Sequence, residues 1–418
     1  MGRDLYYEAD TLFLSDDLIE DLARREPTPL YLYDGQGIRD TSRKIFDAFA
    51  WNLGFRQYFP VKAANLPGIL KLLLQCGQGL LCTSGLELAL ARRCGAKPEQ
   101  ILFAPVCPTE GELRNVVEAD IPTVIDSLQM ANDLLRLEKL PTYLGLRYHP
   151  EKKVEVGTKF VARPEGCKFG MDTLEMISVA RWLKERGVSE IALHCHLKGG
   201  MDNPRYWAKL LQLLHTAGER IRDKTGLGIR AYNLGGGLIA PSPTDEKPLE
   251  VQSVADHVRS VAESLQIGHV PIHTEFGRYA VGSHGILISR VRAVKPFYEE
   301  SRPVVLLDAG VNKIMKHIGN HMQFHVSVVG RRETAGRRFY TLAGPLSDHL
   351  DRMANKYMLP ELTVGELVAL HGAGAYCASM DFGTSSTLRS AVYLCNGGKL
   401  TCLRCAETEE DAFSHMVF

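Results

Sequence analysis

Tyr58-Phe59-Pro60-Val61-Lys62-Ala63-Ala64-Asn65 is an apolar run that ends in a single amine. The run reads as a strand of a barrel core, and a lysine at the carboxyl end of such a strand has few structural uses. An ammonium half-buried beside apolar neighbours is costly, so it must pair or lose its proton. A lysine that loses its proton can attack a carbonyl and form a Schiff base. The same side chain could instead snorkel its charge to the barrel rim. This stretch alone leaves both readings open.

Working outward, the apolar run Gln57–Ala63 is the first of eight. The others are Gly79–Thr83, Gln100–Val106, Ile121–Asp126, Thr142–Tyr148, Glu190–His196, Ile229–Leu234 and Val270–Glu275. Amphipathic patterns separate most of them. Leu86, Ala89, Leu90 and Arg93 follow i, i+3, i+4, i+7 spacing, and Leu174, Ile177, Ala180 and Leu183 do so approximately. Gly95, Gly187 and Gly226 sit where helices end, and Pro67 and Pro204 near where they start. Strand–helix alternation implies a parallel sheet covered by helices. Eight repeats predict an α/β fold of the (β/α)8 TIM-barrel type. An open doubly wound sheet would want a glycine-rich turn after its first strand, and Lys62 stands there instead.

The pattern changes after Ser283. Period-2 runs appear at Ile286–Val294, Arg302–Asp308, Met322–Val329, Arg338–Leu342, Leu367–Leu370 and Ala391–Cys395, with Gly, Pro and polar turns between them. The expected organisation is a barrel over residues 30–282 and a mostly-β C-terminal domain over 283–418. Residues 1–29, with a helical pattern from Ser15 to Arg25, are expected to join the β domain.

Composition excludes several classes. Forty-nine basic residues balance forty-nine acidic ones, so charge gives no case for nucleic acid or an anionic membrane as partner. No apolar run reaches transmembrane length. Met1 to Asp10 has no signal-peptide core, and Gly2 lacks the Ser or Thr of a myristoylation motif. Ten cysteines without framework spacing imply a reducing cytoplasm. Cys402 and Cys405 form one C-x-x-C, but no second pair or nearby histidine completes a zinc site.

Barrel active sites are built at the carboxyl ends of the strands. Here those ends carry Lys62, His194-Cys195-His196, Gly235-Gly236-Gly237 and Glu275-Phe276-Gly277-Arg278. Each has a bland reading as a satisfied histidine, a turn or a surface loop; their joint placement does not. Three glycines let backbone N–H groups approach a phosphate, and Arg278 can add a charge-assisted bond. An amine, an imidazole, a phosphate loop and a carboxylate suit pyridoxal 5′-phosphate, whose ring nitrogen Glu275 would keep protonated. Metal binding by His194 and His196, which share a strand face, is the rival. No acidic or cysteine partner at another strand end supports it, so no metal is expected.

These residues resemble the fold-type III pyridoxal-phosphate-dependent decarboxylases, the group of diaminopimelate and ornithine/arginine decarboxylases, whose barrel is alanine-racemase-like. The resemblance also runs through Thr83-Ser84-Gly85-Leu86-Glu87-Leu88, Cys167-Lys168-Phe169-Gly170, Asp308-Ala309-Gly310, Gly344-Pro345-Leu346-Ser347-Asp348-His349-Leu350-Asp351 and Gly372-Ala373-Gly374-Ala375-Tyr376. It implies Lys62 as the Schiff-base lysine and His196 stacked on the cofactor ring. It implies that Gly235, Gly236, Gly237, Arg278 and Tyr376 hold the phosphate, and that Glu275 pairs with the ring nitrogen. It also implies a homodimer with shared sites, in which Asp348 recognises a distal amine of the substrate.

Four departures bear on substrate and chemistry. Ser347 stands where similar enzymes have a cysteine that protonates the α-carbon, and a hydroxyl is a far weaker acid. Lys198-Gly199 replaces a Gly-Ser pair whose serine binds the phosphate. Lys316-His317-Ile318-Gly319-Asn320 replaces an Arg-Pro-x-x-Tyr stretch that reads the distal end of diaminopimelate, which argues against that substrate. Asp381-Phe382-Gly383-Thr384 also lacks the asparagine usual there. The expected activity is decarboxylation of an amino acid with a distal amine or polar conjugate, as in polyamine, siderophore or other secondary metabolism. An amino-acid racemase and a catalytically inactive regulatory homologue are the alternatives.

Overall fold

The computed structural model describes residues 15–156, 159–162, 166–242, 248–296, 302–314, 324–331 and 336–418. The chain divides into two compact units, one of residues 40–239 and 249–279, the other of residues 15–39, 240–248 and 280–418.

The first unit is a closed parallel barrel. Its strands are β1 (Arg56–Pro60), β2 (Gly79–Cys82), β3 (Ile101–Phe103), β4 (Thr123–Ile125), β5 (Leu144–Arg147), β6 (Glu190–His194), β7 (Gly228–Asn233) and β8 (Ile272–Thr274). They pair in chain order, and β8 closes on β1 through His273↔Arg56 and Thr274↔Gln57. Six fall inside the apolar runs read from the sequence, and β1 and β7 each begin one residue before theirs. Nearly every strand residue is buried, because side chains point either into the barrel or under the helices. Tyr58, Leu81, Leu102, Ala104 and Val124 form one interior cluster. Burying each large side chain there contributes about 1.5–3 kcal/mol.

Helices connect the strands as their caps direct. Pro67 opens Pro67–Gln75 and Thr109 caps Glu110–Glu118 with Glu112 reaching back. Asp172 caps Thr173–Glu185 in the same way. Gly226 ends the 21-residue helix Arg205–Thr225 in the left-handed conformation, φ 72°.

The second unit holds a nine-stranded sheet. Along its main path lie Arg352–Leu359, Arg338–Ala343, Val304–Leu307, Gly285–Lys295, Leu30–Asp34, Ala391–Asn396 and Lys399–Arg404. Leu367–His371 pairs with Gly285–Lys295 and with Val326–Val328. Helix Asp16–Arg25, N-capped by Ser15, buries Ile19, Leu22 and Ala23 against Leu30, Leu32, Ile286 and Ile288. The barrel expected from residue 30 begins later in the chain. Leu30–Asp34 pairs with Ile288 to Gly285 on one side and with Ala391 to Cys395 on the other. It is buried on both faces, so its hydropathy cannot be told from that of a barrel strand.

Candidate active site

The carboxyl ends of β1, β6, β7 and β8 meet through backbone packing that only small residues permit. A Cβ on Gly236 would lie 2.2 Å from the Glu275 carbonyl oxygen, and one on Gly237 would lie 2.4 Å from that of Lys198. A Cβ on Gly277 would lie 2.4 Å from Pro60 Cγ. The Glu275 N–H donates to the Gly235 carbonyl at 2.9 Å, and the Met201 N–H to the Gly237 carbonyl at 2.8 Å. Trp207 Nε1 donates to the Gly236 carbonyl at 3.1 Å. The glycine loop is therefore locked between the His196 loop and the Glu275 turn.

Lys62 lies two residues beyond the strand, in the single turn Val61–Ala63, with the Ala64 N–H closing onto the Val61 carbonyl. The expected half-burial is not what the fold provides, since the Lys62 side chain is exposed at the mouth. Pro60 ends β1, and the turn that follows carries the amine past the apolar strand instead of leaving it among strand neighbours.

His196 follows β6 and is half-buried. Its Nδ1 accepts the Gly236 N–H at 3.2 Å, which places any imidazole proton on Nε2. Burial pushes the imidazole down to about 3, with Arg147, His194 and Lys62 adding to the effect and Glu275 opposing it. A neutral ring results, set within electrostatic reach of the amine, the carboxylate and the guanidinium.

Glu275 is buried at the end of β8. Asn233 Nδ2 donates to its Oε1 at 2.8 Å, and His194 Nε2 lies 3.2 Å from the same oxygen. Burial alone would raise this carboxyl. The imidazole of His194, then His196 and the Asn233 amide, more than offset it and hold the group well below the usual carboxylate range. Arg278 is also buried, in the first turn of Gly277–Val281.

The glycine loop has fewer donors to give than three glycines suggest. The Gly235 N–H donates to Asn233 Oδ1 at 2.9 Å and the Gly236 N–H to His196. Gly237 keeps the N–H that has no partner among the described residues. Beside this loop, Leu197 and Lys198 both donate their N–H to Tyr206 Oη at 3.1 Å, and the Lys198 side chain is exposed.

The sequence reading missed two supports. Arg147 at the end of β5 pairs with Asp126 at 2.7 Å, both buried, and lies 4.3 Å over the Phe169 ring. The Gly170 N–H donates to the second oxygen of Asp126 at 3.1 Å. An Asp one residue past β4 and an Arg ending β5 were a legible signal, since buried charges come in pairs.

The remaining expected residues belong to the second unit. Ser347 and Asp348 are exposed between the strands Arg338–Ala343 and Arg352–Leu359. Buried Asp351 anchors their loop, accepting the N–H of Val311 and of Leu346 at 2.7 Å each. Tyr376 has φ 60° in the turn after Leu367–His371, where a Cβ on Gly374 would lie 1.8 Å from the Val281 carbonyl. Lys316 and the stretch to Asn320 lie outside the described residues. Cys402 Sγ and Cys405 Sγ are 3.9 Å apart and exposed. Among the described residues no group of three or more metal-ligating side chains occurs, and no helix is long and apolar enough to cross a membrane.

These residues fit pyridoxal 5′-phosphate. An exposed amine, an ionised carboxylate, a neutral imidazole and a guanidinium beside a glycine loop too tight for any Cβ are the donors and acceptors it requires. A family model described as pyridoxal-dependent decarboxylase, pyridoxal binding domain, matches residues 38–282. Protein TabA of Pseudomonas amygdali pv. tabaci is 29% identical over 398 residues, 94% of this chain and 92% of that protein. The L-glutamyl-[BtrI acyl-carrier protein] decarboxylase of Niallia circulans is 26% identical over 373 residues, 85% of each chain. A crystal structure of diaminopimelate decarboxylase superposes with a TM-score of 0.84 at 25% identity, covering 99% of this chain and 98% of that one.

Proposed function

Because the chain belongs to the pyridoxal-dependent decarboxylases, we propose that it removes the α-carboxylate of an amino acid carrying a distal amine or a polar conjugate, with Lys62 as the lysine that holds the cofactor. The observation that carries the reading is the meeting of Lys62, His196 and Glu275 at one barrel mouth, where the charges of Lys62 and Glu275 both act on the His196 ring.

When bound, the cofactor supplies an electron sink for the pair left behind as carbon dioxide departs. The residues of this chain do the rest. The exposed Lys62 amine is within reach of an aldehyde carbon entering the mouth. Glu275, ionised, holds a proton on a ring nitrogen brought against it. Both of its described contacts are to Oε1, so Oε2 is the oxygen that would meet that nitrogen. His196, uncharged, offers a flat face without repelling a cationic ring. Arg278 and the Gly237 N–H would bear the phosphate. Asp348 would pair with a substrate ammonium, and the Ser347 hydroxyl would return the proton to the α-carbon. A homodimer with shared sites would bring that loop to the partner's barrel.

Two similarities support the substrate class. One relative acts on an amino acid joined to a carrier protein, and one solved structure is a diaminopimelate decarboxylase. Lys316-His317-Ile318-Gly319-Asn320 argues against diaminopimelate itself. The test is carbon dioxide release from a panel of diamino acids, their acylated conjugates and carrier-linked amino acids, with Lys62→Ala as control. Turnover of a conjugate above diaminopimelate supports the reading, whereas racemisation without carbon dioxide release contradicts it.

A further inference from the structure

The reaction as described gives His194 no role. The imidazole is buried near the end of β6, 3% exposed, two residues before His196, where strand geometry sends both side chains to one face. Neither ring nitrogen makes a hydrogen bond among the described residues. Nε2 nonetheless lies 3.2 Å from Glu275 Oε1, so the ring acts on the carboxylate as a close charge or dipole and not through a well-directed bond. A buried polar ring without hydrogen bonds is destabilising. An apolar side chain of similar size would avoid that cost, so the ring's effect on Glu275 is the reason to look for a function. A metal does not explain it. His196 Nδ1 is occupied by the Gly236 N–H, and no group of three or more side chains placed to hold a metal ion occurs among the described residues.

We propose that His194 is a positioning residue for the reaction: it keeps Glu275 ionised and occupied at Oε1, so that Oε2 is presented to the cofactor's ring nitrogen. The proposal rests on the reading of Glu275 as that nitrogen's partner.

The surroundings of Glu275 make His194 the decisive neighbour. His196 faces it from the same stretch, and Asn233 from β7 contributes one neutral hydrogen bond. Tyr58 from β1 and His273 from β8 are within electrostatic reach. Lys62 and Arg147 act on His196. Among the influences that lower the Glu275 carboxyl, His194 is the largest. Without it, the Asn233 amide and a neutral His196 remain to oppose the desolvation of a carboxylate at the centre of the barrel mouth.

The test compares His194→Phe, His194→Ala and His194→Gln with Glu275→Gln in protein reconstituted with pyridoxal 5′-phosphate. The absorbance of the bound cofactor is followed against pH, together with kcat and KM. Either His194→Phe or His194→Ala, whichever folds, is expected to shift the pH midpoint of the spectrum by about one unit. The same variants should lower kcat by about tenfold or more with little change in KM. His194→Gln, which keeps a polar side chain beside Oε1, should recover part of both. A wild-type spectrum and kcat in both His194→Phe and His194→Ala, with Glu275→Gln impaired, would overturn the proposal. If Glu275→Gln is also unimpaired, it is the reading of Glu275 that fails.

Discussion

Replacing Gly236 with alanine tests whether the mouth is locked as described. The added Cβ would lie 2.2 Å from the Glu275 carbonyl oxygen, a backbone atom that cannot swing aside. To reach an ordinary contact the glycine loop and the Glu275 turn must part by about 1 Å. That movement strains the Glu275 N–H bond to the Gly235 carbonyl and the Gly236 N–H bond to His196. Overpacking of this kind costs about 1–3 kcal/mol and a weakened backbone bond about 0.5–1.5 kcal/mol more, so the total is roughly 2–4 kcal/mol. Thermal unfolding of the apo protein should therefore fall by roughly 2–5 °C. Titration with pyridoxal 5′-phosphate, followed by absorbance, should show affinity reduced by about tenfold or more. Gly111→Ala is the control, since that glycine lies within helix Glu110–Glu118 and an added Cβ meets nothing within 4 Å. It should be neutral or slightly stabilising. A Gly236→Ala protein that melts and binds cofactor as wild type does would refute the packing argument.

Three further outcomes follow from the same geometry. Asp126→Asn or Arg147→Met breaks a buried pair and should cost about 3–5 kcal/mol in chemical denaturation, while a loss under 1 kcal/mol would mean the pair is wetter than it looks. Asp351→Ala strands the Val311 and Leu346 N–H groups, so turnover should fall with cofactor affinity held, and Asp351→Asn should fall between; equal cofactor loss in both would contradict a role confined to the Ser347 loop. His273 is pushed down to about 3 by burial, with Arg56 and Arg230 adding to the effect. The unfolded chain takes up that proton near pH 6.5 and the folded barrel does not, so stability is full above that value and drains as pH falls towards 3. At pH 5 this one site removes about 2 kcal/mol, and His273→Asn should flatten the slope of the urea midpoint between pH 7 and 5. An unchanged slope would refute the assignment.

Much of the fold was legible because a barrel repeats one simple signal. Eight apolar runs separated by amphipathic ones locate all eight strands, and Gly226 and Pro67 mark helix ends as their backbone chemistry requires. Leu30–Asp34 defeated the reading because a strand buried on both faces has the same hydropathy in either sheet. Arg352–Leu359 was missed because its solvent face and the charges of Arg352 and Lys356 hide the alternation. In the site, the identities of Lys62, His196, Glu275 and Arg278 were readable because residue type and strand-end position coincide. Their couplings were not. That Gly235 and Gly236 spend their N–H groups inside the protein, and that Lys62 is exposed on an otherwise buried turn past the strand, depend on backbone geometry that residue order does not encode.

The central claim is that Lys62 holds the cofactor. Reconstitution with pyridoxal 5′-phosphate, reduction with borohydride and peptide mass analysis would trap the linkage and show which lysine bears it. The account predicts one adduct, on Lys62, lost in Lys62→Ala. An adduct on Lys198 or elsewhere in wild type, or none, would contradict it.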